Sequence, residues 1–231
     1  MITTVIFDLD DTLFDEIDFC RSGFRAAAEH VAALSDAPSA DEVFAVIWKC
    51  FISGNRGSTF NAALAALGIP CDDLLIGKLV EIYRTHPPIL ALPLESRAIL
   101  DDLKDRYTLG LLTDGLLPTQ RLKVQALGIE RFFKAIVYTE ELGREFWKPS
   151  PRGFEKLLEM LGARPGQAVC VADNETKDFI APNRLGMLTI QLLRPHRLHT
   201  QPSTLPDAAA RLKIDRIGDL AGVLARFAVC P

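Results

Sequence analysis

The feature that most constrains this chain is its first apolar run: residues 2–7 are all β-branched or aromatic, and the run stops at Asp8-Leu9-Asp10-Asp11-Thr12. An uninterrupted run of this kind reads as a strand buried on both faces, the habit of a parallel sheet, and an acid-rich stop reads as a functional turn. The same beat returns further along. Residues 109–113 end at Asp114-Gly115, a helical stretch at Thr119–Leu127 precedes a run at Ala135–Tyr138, and a helix at 151–161 precedes Ala168–Ala172, which ends at Asp173-Asn174. Residues 187–193 supply one more strand, a proline-rich loop covers 194–206, and a short strand and helix close the chain. Strands alternating with helices imply right-handed crossovers, so the expected fold class is α/β: a Rossmann-like parallel sheet with helices on both faces.

One stretch breaks the alternation. Between residue 15 and about residue 92 the sequence is Ala-rich with helical spacing, punctuated at 35–39, 53–58 and 68–70, and it offers no convincing strand. After Pro93 a helix around 96–106 leads back into the sheet. The expected organisation is therefore a core formed by residues 1–14 and 93–231, with residues 15–92 as a helical insertion after the first strand. A chain of 231 residues is long enough for both.

In open parallel sheets ligands bind beyond the carboxyl ends of the strands. Here those ends carry Asp8, Asp10, Thr113, Asp114, Gly115, Asp173 and, five positions further on, Asp178, while Lys148 precedes a proline before a helix. Asp8 and Asp10 lie two apart, so continued strand geometry projects them to one side, where they can share a substrate. Carboxylates converging in this number need a counter-ion, because two like charges 4 Å apart repel by about 4 kcal/mol even at an effective dielectric of 20. A hard divalent cation with oxygen ligands, Mg²⁺ in particular, suits such a site.

Asp-x-Asp-x-Thr after the first strand, Thr at the second strand end, Lys-Pro, and Asp-x-x-x-x-Asp after a later strand resemble, in order, the four motifs of the haloacid dehalogenase-like hydrolase superfamily. The helical insertion is similar to the cap of that superfamily's first subclass. The resemblance implies a phosphatase-type enzyme in which Asp8 attacks phosphorus. It makes Asp10 the acid that protonates the leaving alcohol and the base that activates water. It also implies that Asp8 and Asp173 ligate Mg²⁺ directly, that the Asp10 carbonyl adds a ligand, and that Asp178 supports the site from behind. Thr113 and Lys148 would hold the phosphoryl group, with Asp114 and Gly115 beside it. Ala172 departs from the pattern, standing where the family usually has glycine.

Other features narrow the partners. The net charge is −4 with no basic cluster, and no apolar run approaches the length of a membrane span, so neither nucleic acid nor a membrane is expected as a partner. Five cysteines without a Cys-x-x-Cys pair fit a reducing compartment, and the lack of a basic leader fits the cytoplasm. Cys170, inside an apolar run, is expected to be a buried small hydrophobe, and His86, His196 and His199, in Pro-flanked segments, to be solvated surface residues. Arg56, in the Gly-rich break Gly54-Asn55-Arg56-Gly57-Ser58, is either a contact for an anionic substrate or part of an ordinary turn. The expected partner is a small phosphorylated metabolite. The rival readings are a phosphomutase, a metal-free 2-haloacid dehalogenase, against which Asp10 and the Asp173/Asp178 pair argue, and a non-catalytic binding module.

Overall fold

The computed structural model describes residues 1–34 and 37–227; of the expectations above, Ser35 in the break at 35–39 and Cys230 lie outside the described residues. The elements run in the order β1 (Thr4–Phe7), α1 (Glu16–Ala32), α2 (Ala40–Ile52), α3 (Thr59–Ala66), α4 (Asp73–Thr85), α5 (Leu94–Leu103), β2 (Thr108–Thr113), α6 (Thr119–Leu127), β3 (Ala135–Tyr138), α7 (Arg152–Leu161), β4 (Ala168–Ala172), α8 (Ile180–Leu185), β5 (Leu188–Leu192), β6 (Leu212–Ile214) and α9 (Leu220–Ala225). They form two compact units. One comprises Met1–Ile17 with the chain from Ala91 onward, the other Asp18–Leu90.

The first unit is an α/β sandwich. Its six strands are all parallel, in the order β3-β2-β1-β4-β5-β6. All four residues of β1 are buried, because Val5 pairs with Leu109 and Val169 while Ile6 pairs with Gly110 and Cys170, and helices cover both faces. On the Ile6 face, Leu112, Val137 and Cys170 form one cluster with Phe154, Leu157, Leu158 and Leu161 of α7. Burying each of those large side chains stabilises the fold by roughly 1.5–3 kcal/mol. Gly110 is what lets α7 come so close: a Cβ there would sit 2.8 Å from Leu161 Cδ1 and 3.2 Å from Leu157 Cδ2.

The strand order fixes where a site can lie. The chain runs outward from β1 through β2 to β3, then returns to place β4 on the other side of β1, so the carboxyl ends of β1 and β4 flank a topological switch point. Asp8 follows β1 and Asp173 follows β4.

The second unit has helices as its only regular elements among its described residues, with an aromatic core in which Phe24 meets Phe51, Phe60 and Tyr83 at ring separations of 5.1, 5.8 and 5.0 Å. Its α2 opens on a capping box in which Ser39 and Glu42 satisfy each other's backbone amides. One expectation fails here. His86 is buried rather than solvated, with Nδ1 2.9 Å from the Tyr83 carbonyl, Nε2 2.9 Å from Ser22 Oγ and its ring 5.0 Å from Phe19. It caps the end of α4, so the ring turns back onto the helices while the loop begins only at the prolines after it, and burial holds its pKa below the ordinary histidine value.

Candidate active site

At the switch point a polar cleft of about 90 Å³ is lined by Asp8, Asp10, Asp114, Asp173, Asn174 and Lys177, with Asp11, Glu16 and the exposed His199 at its wall. Asp8 and Asp10 therefore do share one space. Asp8 is anchored by its backbone N–H to the Val171 carbonyl at 2.9 Å, an extension of the sheet, and is buried. Lys148 Nζ donates to Asp8 Oδ1 at 2.6 Å and to Asp178 Oδ1 at 3.0 Å, with all three side chains nearly inaccessible.

Asp8, Asp173 and Asp178 each offer a carboxylate oxygen within 4.8 Å of the others. Asp173 Oδ2 is buried and has no hydrogen-bond partner, whereas Asp178 is fully engaged, Oδ1 by Lys148 and Oδ2 by the Asn174 N–H at 3.0 Å. A buried, unpaired carboxylate oxygen beside two more carboxylates is costly unless a cation occupies the space, and an all-oxygen donor set suits a hard divalent ion. Gln191 donates to the Asp173 carbonyl at 2.8 Å and so fixes the loop that presents it.

Burial sets the electrostatics. It pushes Asp8 up to about 6 against the pull of the Lys148 ammonium. Burial, reinforced by Asp178 and Asp8, pushes Asp173 up to about 9. Asp178 feels the same burial, yet Lys148 and Lys177 outweigh it and hold its carboxyl below the usual range. Lys148 stays charged because Asp178, Asp8 and Asp114 overcome its own desolvation. Burial raises the Cys170 thiol far above its ordinary value, in keeping with an inert hydrophobe.

The second strand end supplies positioning. Thr113 is buried, and its Oγ1 accepts from Gln120 Nε2 at 2.6 Å. Asp114 accepts the Lys148 N–H at 3.1 and 3.3 Å and the Thr139 hydroxyl at 2.7 Å, tying the β2 and Lys148 loops together. Asp11 has a left-handed backbone, φ 52°, held by bonds from the Glu16 N–H at 2.8 Å and the Leu198 N–H at 2.6 Å. Of the residues singled out in the sequence, Asp8, Asp10, Asp114, Asp173, Asp178 and Lys148 gather at this cleft and Thr113 joins them through Gln120. Arg56 belongs to the helical unit, at a recess of about 330 Å³ with Phe51, Phe60, Tyr83 and Arg84.

Four polar residues at the site carry no motif of their own: Gln120, Lys123, Lys177 and Glu16. Gln120 and Lys123 had a legible signal, since they fall on the buried stripe of α6 with Val124 and Leu127, and a buried polar residue on an apolar stripe needs a partner.

These features define a hydrolase of a known class. The model of the haloacid dehalogenase-like hydrolase family matches residues 2–186, and the chain belongs to that family. It is 29% identical to a glyceraldehyde 3-phosphate phosphatase of Methanopyrus kandleri, across 99% of each chain. It is 31% identical to the pyrophosphatase PpaX of Bacillus pumilus, across 75% of each. Among solved structures it resembles the HAD-hydrolase YfnB of Bacillus subtilis, bound to magnesium, with a TM-score of 0.67, 20% identity, and coverage of 96% of this chain and 98% of that one.

Proposed function

We propose that this chain is a Mg²⁺-dependent phosphohydrolase that acts on a small phosphorylated metabolite through a phosphoryl ester on Asp8. The observation that carries the reading is the buried trio Asp8, Asp173 and Asp178, in which Lys148 bridges Asp8 and Asp178 and Asp173 Oδ2 is left unpaired. The phosphatase names of its relatives support the reaction class.

Asp8, Asp173 and the Asp10 carbonyl would hold the cation, with Asp178 steadying the site through Lys148 and the Asn174 amide. When bound, Mg²⁺ neutralises charge on the carboxylates and on the phosphoryl oxygens. Lys148 has a third ammonium N–H beyond those given to Asp8 and Asp178, which would serve the transferring group. Thr113 accepts from Gln120, which turns its own hydroxyl hydrogen outward as a donor to a phosphoryl oxygen. Such fixed donors are the main resource of phosphoryl-transfer catalysts. Asp8 attacks phosphorus while Asp10 gives a proton to the leaving oxygen, and Asp10 then takes a proton from the water that releases phosphate. A dehalogenase needs no such proton-transferring group, and Asp10 lines the same cleft as Asp8.

The helical unit, inserted after β1, corresponds to a cap that selects the leaving group, with Arg56 as its anionic contact. The free cysteines Cys20, Cys50, Cys71 and Cys170 suit the cytoplasm, and among the described residues no helix is long and apolar enough to cross a membrane. The test is hydrolysis of a panel of phosphorylated metabolites with and without Mg²⁺. Phosphate release that EDTA stops is the expected result. A protein inert to the whole panel, or one that releases halide from 2-haloacids without metal, contradicts the reading.

A further inference from the structure

We propose that Gln120 and Lys123 of α6 form a clamp that positions Asp10 for proton transfer; the inference rests on the phosphohydrolase reading above. Both oxygens of Asp10 are held from the same helix, Oδ2 by Gln120 Nε2 at 2.9 Å and Oδ1 by Lys123 Nζ at 2.7 Å. The two donors lie three residues apart, so successive turns present them on one face. Both are almost wholly enclosed, Gln120 at 2% and Lys123 at 3% of full exposure. A glutamine and a lysine brought into an apolar stripe carry a desolvation cost that a surface role would not require. The carboxylate they hold is 19% exposed at the cleft, so the ordered donors lie on the protein side and the solvent-facing side is left for a substrate.

The same glutamine joins two jobs. Its amide nitrogen also donates to Thr113 Oγ1 at 2.6 Å, so one side chain fixes the phosphoryl-binding hydroxyl and the proton-transferring carboxylate relative to each other. Gly115 is part of this arrangement. Its φ of 141° disfavours any side chain, and a Cβ there would lie 2.8 Å from Gln120 Cγ and Cδ, so the turn after β2 has room for the clamp only as glycine. Lys123 is further steadied by Glu16 Oε1 at 3.7 Å, which ties α6 to the start of α1. Lys123 acts through Asp10, and Gln120 through Asp10 and Thr113, so they are positioning residues.

The test separates aiming of the proton donor from general support of the fold. With Mg²⁺ present, kcat/KM is measured for a series of substituted phenyl phosphates, from 4-nitrophenyl, whose leaving group is acidic, to phenyl and 4-methoxyphenyl, whose leaving groups need a proton more. The proteins are wild type, Lys123→Met and the near-isosteric Gln120→Glu, which turns a donor toward Asp10 into an acceptor. Because these esters differ little in shape, binding selectivity drops out. Loss of a well-aimed general acid costs about 10²–10⁴-fold where protonation matters. We expect both variants to lose about 100-fold on 4-methoxyphenyl phosphate and several-fold less on the 4-nitrophenyl ester; Lys123→Met does so with a near-unchanged KM, whereas Gln120→Glu, which also touches Thr113, adds a loss common to the whole series. Equal losses across the series in either variant, or no loss in both, overturn the clamp while leaving the phosphatase reading in place. A wild type inert to the whole series overturns that reading and the clamp with it.

Discussion

Replacing Lys148 with Met removes one ammonium and leaves two buried carboxylates facing each other. Lys148 Nζ lies 2.6 Å from Asp8 and 3.0 Å from Asp178, with side-chain exposures of 2%, 4% and 0%. At an effective dielectric of 20, attractions at those distances are each about 5–6 kcal/mol before desolvation is counted. The measured cost of breaking a buried pair by deleting one partner is smaller, about 3–5 kcal/mol, because the stranded charges relax or take up protons. For a chain of 231 residues, an unfolding entropy of about 2.1 cal/mol/K per residue turns that into a fall in Tm of about 6–10 °C. The pH dependence has a definite sign. Asp8 is already pushed up to about 6 by burial, and loss of Lys148 raises it further, so below that value the folded variant binds protons that the unfolded chain releases. Stability lost at pH 8 should therefore return in part as pH falls toward 5. Mg²⁺ should also restore part of it, by replacing the missing positive charge, but hydrolysis should stay down by about 10²–10³-fold if Lys148 is the proposed donor to the phosphoryl group. Thermal unfolding followed by circular dichroism in EDTA and in Mg²⁺, at pH 5.5 and 8, with parallel assays, reads all of this. A Tm within about 2 °C of wild type in EDTA at pH 8 would refute the claim that Lys148 holds the carboxylates together.

Two further perturbations address metal and substrate. Asp173→Ala removes the unpaired oxygen and should raise the Mg²⁺ concentration for half-maximal activity at least 10-fold, which a metal titration of the rate reads; unchanged demand places the cation elsewhere. Arg56→Ala should raise KM or reorder the metabolite panel by about 10- to 150-fold, the range of a charge-assisted contact, with small aryl phosphates hydrolysed nearly as before; an unaltered panel makes the Gly-rich break an ordinary turn.

Much of the core was legible because two independent signals agreed. Apolar runs locate strands by burial, and acids at their ends locate the switch point by chemistry, so Asp8 and Asp173 could be named before their distance was known. The run at Ala135–Tyr138 and the helix at Thr119–Leu127 match the structure to the residue, while residues 96–106 gave a helix that starts at Leu94 and stops at Leu103. Sequence patterns fail where a residue's role depends on a distant partner. The stripe of α6 shows that Lys123 needs a partner, but not that the partner is Asp10, 113 positions away. His86 was misread for the same reason, its partners Ser22 and Phe19 lying on another helix. Asp114 stands in an Asp-Gly turn at the cleft, but that its oxygens tie the Lys148 and Thr139 segments together depends on partners far along the chain.

The central claim is that Asp8 carries the phosphoryl group in mid-reaction. Rapid acid quench during turnover of 4-nitrophenyl phosphate, followed by peptide mass spectrometry, tests it most directly. The account predicts a phosphoryl adduct on the peptide containing Asp8, absent from a folded Asp8→Asn variant that has lost turnover. An adduct on any other residue, or near-wild-type turnover by Asp8→Asn, contradicts it.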